Sequence, residues 1–126
     1  MDNPFGAAGT AKYVLLTTFR KNGNPVGTPL WAALDDGKLY VWTASDSWKV
    51  KRVRNNPAVT LQPCSVSGKP RGEVVRGTGR VLDEAGTERV RGLIKRKYGI
   101  MGWLTVSGSV LRRGRSGTIG IEIAPE

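Results

Sequence analysis

The sequence predicts a mainly β protein, an antiparallel barrel of six strands, closed or nearly closed, accompanied by two helices. Three observations carry this. Short apolar runs recur along the chain, each bounded by clusters of Gly, Asn, Asp, Ser and Pro that favour tight turns. The last run, Thr118 to Ile123, alternates cleanly, with Ile119, Ile121 and Ile123 on one face and Thr118, Gly120 and Glu122 on the other. Six strands in a chain of 126 residues would leave open edges unless the sheet closes on itself.

Taken in order, residues 1–9 are expected to form a flexible terminus to a single domain spanning 1–126. Lys12 to Phe19 is a strand apolar on both faces, Tyr13 and Leu15 against Val14 and Leu16, which suggests burial between the core and a second surface such as a partner subunit. Lys21-Asn22-Gly23-Asn24 reads as a hairpin loop into Pro25 to Leu34, and Asp35-Asp36-Gly37 as a tighter one into Lys38 to Thr43. Gly27 and Pro29 weaken the ladder of the second strand, so it sits at an edge or bulge, or beside something that needs close backbone approach. A helix from about Asp46 to Asn55 stops before Pro57. Val59 to Cys64 and Glu73 to Leu82 pair across Ser67-Gly68-Lys69-Pro70. A second helix spans about Glu84 to Tyr98, with Asp83 as cap, Val90, Leu93 and Ile94 on one face and Gly99 as terminator. Residues 100–117 are punctuated by Gly102, Gly108, Gly114 and Gly117, and read as loop with short structure.

Composition removes several function classes. There is no histidine, which excludes serine-histidine and cysteine-histidine catalysis and takes away the commonest metal ligand. The adjacent carboxylates Asp35 and Asp36 precede Gly37 between two strands, where a turn explains them. The single cysteine, Cys64, cannot form an intramolecular disulfide, and neither a signal peptide nor an apolar run of about 20 residues is present, so a cytoplasmic location without a membrane span is expected. Twenty Lys and Arg against ten Asp and Glu give a net charge of +10, a field that attracts phosphates, carboxylates or nucleic acid.

The stretch from Leu39 to Arg54 is the most informative. A strand ends at Thr43 and a basic helix starts within four residues. Helix N-termini present unpaired N–H groups and the positive end of a dipole, so the hydroxyls of Ser45 and Ser47 with the Lys49 ammonium would complete a phosphate site. Helical spacing turns Val50 and Val53 inward and sets Lys49 with Arg52 on one flank and Lys51 with Arg54 on the other. The alternative is a solvated helix whose serine only caps its own backbone. Trp31 and Trp42 read either as core residues or as walls for a flat ring.

Three segments together carry a resemblance: Gly27-Thr28-Pro29-Leu30-Trp31, then Asp36-Gly37-Lys38-Leu39-Tyr40-Val41-Trp42-Thr43, then Ser47-Trp48-Lys49-Val50-Lys51-Arg52. Their order resembles the pyridoxamine 5'-phosphate oxidase-like superfamily, and most closely its actinobacterial branch of flavin- and deazaflavin-dependent oxidoreductases. The similarity runs from about Tyr13 to Ile123. It implies a split β-barrel of the FMN-binding type, a homodimer with cofactor sites between subunits, and coenzyme F420 as cofactor, with FMN as the alternative. The roles it implies place Pro29, Leu30 and Trp31 along the tricyclic ring, Trp42 and Thr43 at the ring or its ribityl chain, and Ser47 and Lys49 on the phosphate. Arg52 and Arg54 extend the basic site. Trp48 stands where flavin-binding relatives commonly have arginine, which weighs toward the deazaflavin.

The activity implied is hydride transfer between reduced coenzyme F420 and an electron-poor small-molecule substrate. The cofactor carries the chemistry, so no catalytic side chain is required. A basic nucleic-acid-binding module, with the four tryptophans as stacking platforms, is the remaining alternative, and no nucleic-acid motif accompanies it.

Overall fold

The computed structural model describes residues 3–114 and 117–126. It contains β1 (Tyr13–Phe19), β2 (Pro25–Leu30), β3 (Ala32–Asp35), β4 (Lys38–Ala44), β5 (Ala58–Cys64), β6 (Val75–Val81) and β7 (Thr118–Pro125). Three helices accompany them, α1 (Ala7–Thr10), α2 (Trp48–Asn55) and α3 (Glu84–Arg113). The strands form one antiparallel sheet in the order β2-β1-β5-β6-β7-β4-β3.

The two edge strands of that order are consecutive in the chain, with only Trp31 between them. The two steps from Leu30 to Ala32 span at most about 7 Å, so the edges can be neighbours in sequence only if the sheet is rolled round to bring them together. The expected single strand Pro25 to Leu34 is therefore two, bent at Trp31, and the six predicted strands become seven. Gly27 serves close approach: a Cβ there would lie 3.1 Å from Leu15 Cδ1. Pro29 faces Leu15 of β1 on the edge strand, where a missing N–H is tolerated.

The turns follow their residues. Asp36 and Gly37 both have positive φ, 50° and 75°, as a two-residue hairpin turn of the primed type requires. Gly23 and Gly68 take the left-handed position in two longer loops, Gly23 N donating to Arg20 O and Gly68 N to Ser65 O.

Strand alternation sorts the core into two layers. Val14, Leu16, Leu39, Val41, Val59, Leu61, Ile121 and Ile123 fill the barrel, and α2 closes it by inserting Val50 and Val53. On the outer face, Ala33, Tyr40 and Leu82 pack against Val90, Ile94 and Val106 of α3. Phe5 and Ala8, within the segment expected to be a flexible terminus, also belong to the barrel core. The helix predicted to stop at Gly99 does change direction there, at φ 61° and ψ −135°. The chain then resumes helical structure to Arg113, where a loop was expected. Residues 115 and 116 of that expected loop lie outside the described residues.

Candidate functional site

The ends of β1 and β4 meet α2 at one mouth of the barrel. Thr18 and Thr43 both point into the barrel and are buried. Lys49 Nζ donates to Thr43 Oγ1 at 3.0 Å, and Arg52 Nε donates to Thr18 Oγ1 at 2.6 Å. Two cations of α2 are thus held by neutral hydroxyls. None of Arg20, Lys49, Lys51 and Arg52 pairs with a carboxylate among the described residues.

The electrostatics follow from that lack of counter-charge. The Lys49 ammonium is half-buried, and desolvation, with Arg52 beside it, holds its pKa below the ordinary lysine value. Desolvation likewise lowers Arg52, with Arg20 adding like-charge repulsion. The charged form of each would be relieved by an incoming anion.

Ser47 stands at the start of α2. Its backbone, φ −72° and ψ 152°, is that of an N-cap, yet its side chain makes no capping hydrogen bond. Ser47 Oγ is buried with no partner among the described residues. A buried hydroxyl without a partner costs about 1–3 kcal/mol, so the simple capping role is not what this serine performs. No acidic residue stands in the first turn of α2, and the nearest carboxylate in sequence is Asp46, just before the N-cap. Hydroxyl, ammonium, guanidinium and helix N-terminus together make a donor set for a phosphoryl or carboxylate group.

The remaining predicted residues are spread around this cluster. Trp42 precedes Thr43 on β4 and so points to the opposite face, where it packs with Tyr40 beneath α3 and leaves Nε1 buried without a partner among the described residues. Pro29 and Leu30 are half-buried at the end of β2. Trp48 is 71% exposed, with the Lys51 ammonium 4.4 Å from its ring centroid. Arg54 is exposed in the last turn of α2. Beside Trp48 lies an open cleft of about 1040 Å³, lined also by Phe19, Arg20, Lys51, Arg52 and Asn55.

The sequence matches the family described as Pyridoxamine 5'-phosphate oxidase over residues 8–125. The chain belongs to this family. Solved structures agree in fold with this pyridoxamine 5'-phosphate oxidase relative. The conserved hypothetical protein Rv2991 from Mycobacterium tuberculosis superposes with a TM-score of 0.70 at 19% identity, covering 94% of this chain and 75% of that one. A structure described as an F420 reductase gives 0.67 at 18% identity, covering 100% and 96%. A FAD-binding protein from Mesorhizobium loti gives 0.57 at 21% identity, covering 94% and 82%. No functionally curated protein sequence matches. Among the described residues of this family member there is no cluster of potential metal ligands, and no helix long and apolar enough to cross a membrane.

Two residues not singled out from the sequence shape the aromatic side of this family member's barrel. Tyr98, at the bend of α3, stacks on Trp31 with centroids 4.2 Å apart and planes 8° from parallel. Its hydroxyl donates to Lys12 O at 2.7 Å and accepts from Ala32 N at 3.1 Å, and burial pushes its pKa up to about 12. Lys97 Nζ donates to the carbonyls of Ala11 and Ala32, and burial lowers its pKa. Trp31 therefore has one face committed to Tyr98. The only sequence signal was the pairing of a lone tyrosine with a helix-ending glycine.

Proposed function

We propose that this chain is an oxidoreductase that binds the deazaflavin coenzyme F420 and passes a hydride from its reduced form to an electron-poor organic acceptor. The observation that carries this reading is Ser47 Oγ, buried and uncapped near a half-buried Lys49 that has no carboxylate partner among the described residues. When bound, the coenzyme supplies the hydride. The residues of the chain bind and orient it: Ser47, Lys49 and Arg52 hold the phosphoryl group, with Arg54 in the same basic helix, and Thr43 fixes the Lys49 ammonium. Pro29, Leu30 and Trp31 line the ring, and Trp42, packed with Trp31 in the layer beneath α3, lies behind it. The family match and the likeness to a structure described as an F420 reductase support the same reading. So does Trp48, an exposed ring where an arginine would serve a flavin phosphate.

The site is completed by a second copy of the chain. The outer face of β1 carries Tyr13, Leu15 and Phe19, all half-exposed, as a surface for that contact. Flavin mononucleotide is the second reading, favoured by the likeness to a FAD-binding protein. Fluorescence titration of the parent protein with coenzyme F420 and flavin mononucleotide side by side tests both. Saturable quenching of the deazaflavin, with weaker flavin binding, is expected. Tighter flavin binding would transfer the proposal to the second reading, and binding of neither would end it.

A further inference from the structure

The second arm of α3, residues 100–113, leaves most of its apolar surface uncovered. Of its described side chains only Val106 is buried. Ile100 is 77% exposed, Met101 58%, Trp103 56%, Leu104 57% and Leu111 89%. The described residues contain eight large hydrophobic side chains exposed to this degree, and five of them stand on this arm. Scattered apolar residues need no explanation, whereas a concentration of this kind marks a contact surface.

Charge selects what covers it. Between Glu88 and Glu122 the sequence contains no acidic residue. Arg89 and Arg91 in this stretch are paired with carboxylates, and Lys97 is used on backbone carbonyls. Lys95 and Arg96 before the arm and Arg112 near its end form no ion pair among the described residues. A second copy brought against this face would set Lys95, Arg96 and Arg112 against their own counterparts, with no carboxylate of this stretch to offset them. An anionic lipid surface complements both features, cations for its headgroups and apolar side chains for the region beneath them. Tryptophan is the side chain best suited to that boundary. At about 1.5 Å per residue the arm is about 21 Å long, too short to span a bilayer and suited to lying on one.

We propose that the second arm of α3 docks the protein on anionic membrane surfaces, with Ile100, Trp103, Leu104 and Leu111 entering the interface and Lys95, Arg96 and Arg112 contacting headgroups. The test is co-sedimentation of the full chain with vesicles of phosphatidylcholine alone or with about 30% phosphatidylglycerol. Partition into the anionic vesicles is expected to be at least about tenfold stronger. It should weaken about tenfold when salt rises from about 0.1 M to about 1 M, which shortens the screening length from about 10 Å to about 3 Å. The double variant Leu104→Ser/Leu111→Ser should lose about tenfold or more in partition at unchanged Tm. Arg96→Ala/Arg112→Ala should lose the preference for the anionic lipid. Parent-like partition of the leucine variant would reduce the attraction to bulk charge and overturn the proposal. So would absence of binding, or a parent dimer in sedimentation velocity that the leucine variant dissociates.

Discussion

Replacing Lys49 by Met removes the ammonium and keeps the aliphatic stem that packs at the barrel mouth. Among the described residues that ammonium has a neutral partner, Thr43 Oγ1 at 3.0 Å, and no carboxylate, and it is depressed in pKa first by burial and then by Arg52. Its charged form is therefore a net burden on the folded state, and the variant should have an unchanged or higher Tm. Binding should move the opposite way. A lost charge-assisted contact to a phosphoryl group is worth about 1.5–3 kcal/mol, or about 10- to 150-fold in Kd. The assay is the deazaflavin titration read beside a thermal melt. An affinity within about twofold of the parent, or a Tm lower by several degrees, would refute the reasoning, because either result makes Lys49 a structural cation.

The same residue gives a pH signature. A lysine whose folded pKa lies below 10.5 binds fewer protons folded than unfolded between the two values, so its contribution to the stability of the free protein rises with pH across that window. An anion restores the proton, so affinity should fall as alkaline pH deprotonates free Lys49. Lys49→Met should remove that part of the pH dependence.

Three further outcomes are expected. Ser47→Ala, which would ordinarily cost about 1 kcal/mol as a lost cap, should leave Tm unchanged or raised because no cap bond exists, while coenzyme Kd rises severalfold in the same titration. Tyr98→Phe should keep the stack on Trp31 but forfeit the bonds at Lys12 O and Ala32 N, costing about 1–2 kcal/mol in denaturant melts. In the parent, Tyr98 binds its proton more tightly folded than unfolded, so stability should fall between pH 10 and about 12, and the variant should lose that component. Gly120→Ala should destabilise by about 1–3 kcal/mol, since its Cβ would stand 2.7 Å from Val90 Cγ2 where α3 meets β7; a parent-like Tm would show that α3 can shift freely.

Local chemistry made most of the fold legible. Asp36-Gly37 specified its turn, Val50 and Val53 specified the inward face of α2, and Gly99 marked the bend of α3. The features that escaped depended on contacts distant in sequence. Gly102 reads as punctuation, yet a Cβ there would meet Ile94 O at 2.7 Å and Tyr98 Cβ at 2.9 Å, so it permits close packing against the preceding arm and the helix resumes. The break at Trp31 results from closure of the whole sheet, which no local pattern encodes. At the site, the cluster of Ser47 and Lys49 was readable because helix starts have fixed chemistry. Thr18, which holds Arg52 across 34 residues of sequence, carried no such sign.

The position of Trp31 connects these observations. It is the residue between the two edge strands, so its backbone occupies the seam of the barrel, and the bend of α3 is fastened to that seam by Tyr98 and Lys97 through the backbone of Ala32. The fastening uses main-chain groups, and the Trp31 side chain stacks on Tyr98 and packs against the core layer beneath α3. A flat ring approaching the seam must use the other face of Trp31 or take the place of Tyr98. The hydroxyl bonds of Tyr98 oppose its displacement, and the two-ring stack therefore acts as a fixed wall, set apart from the cationic barrel mouth by the alternation that turns Trp42 and Thr43 to opposite faces of β4.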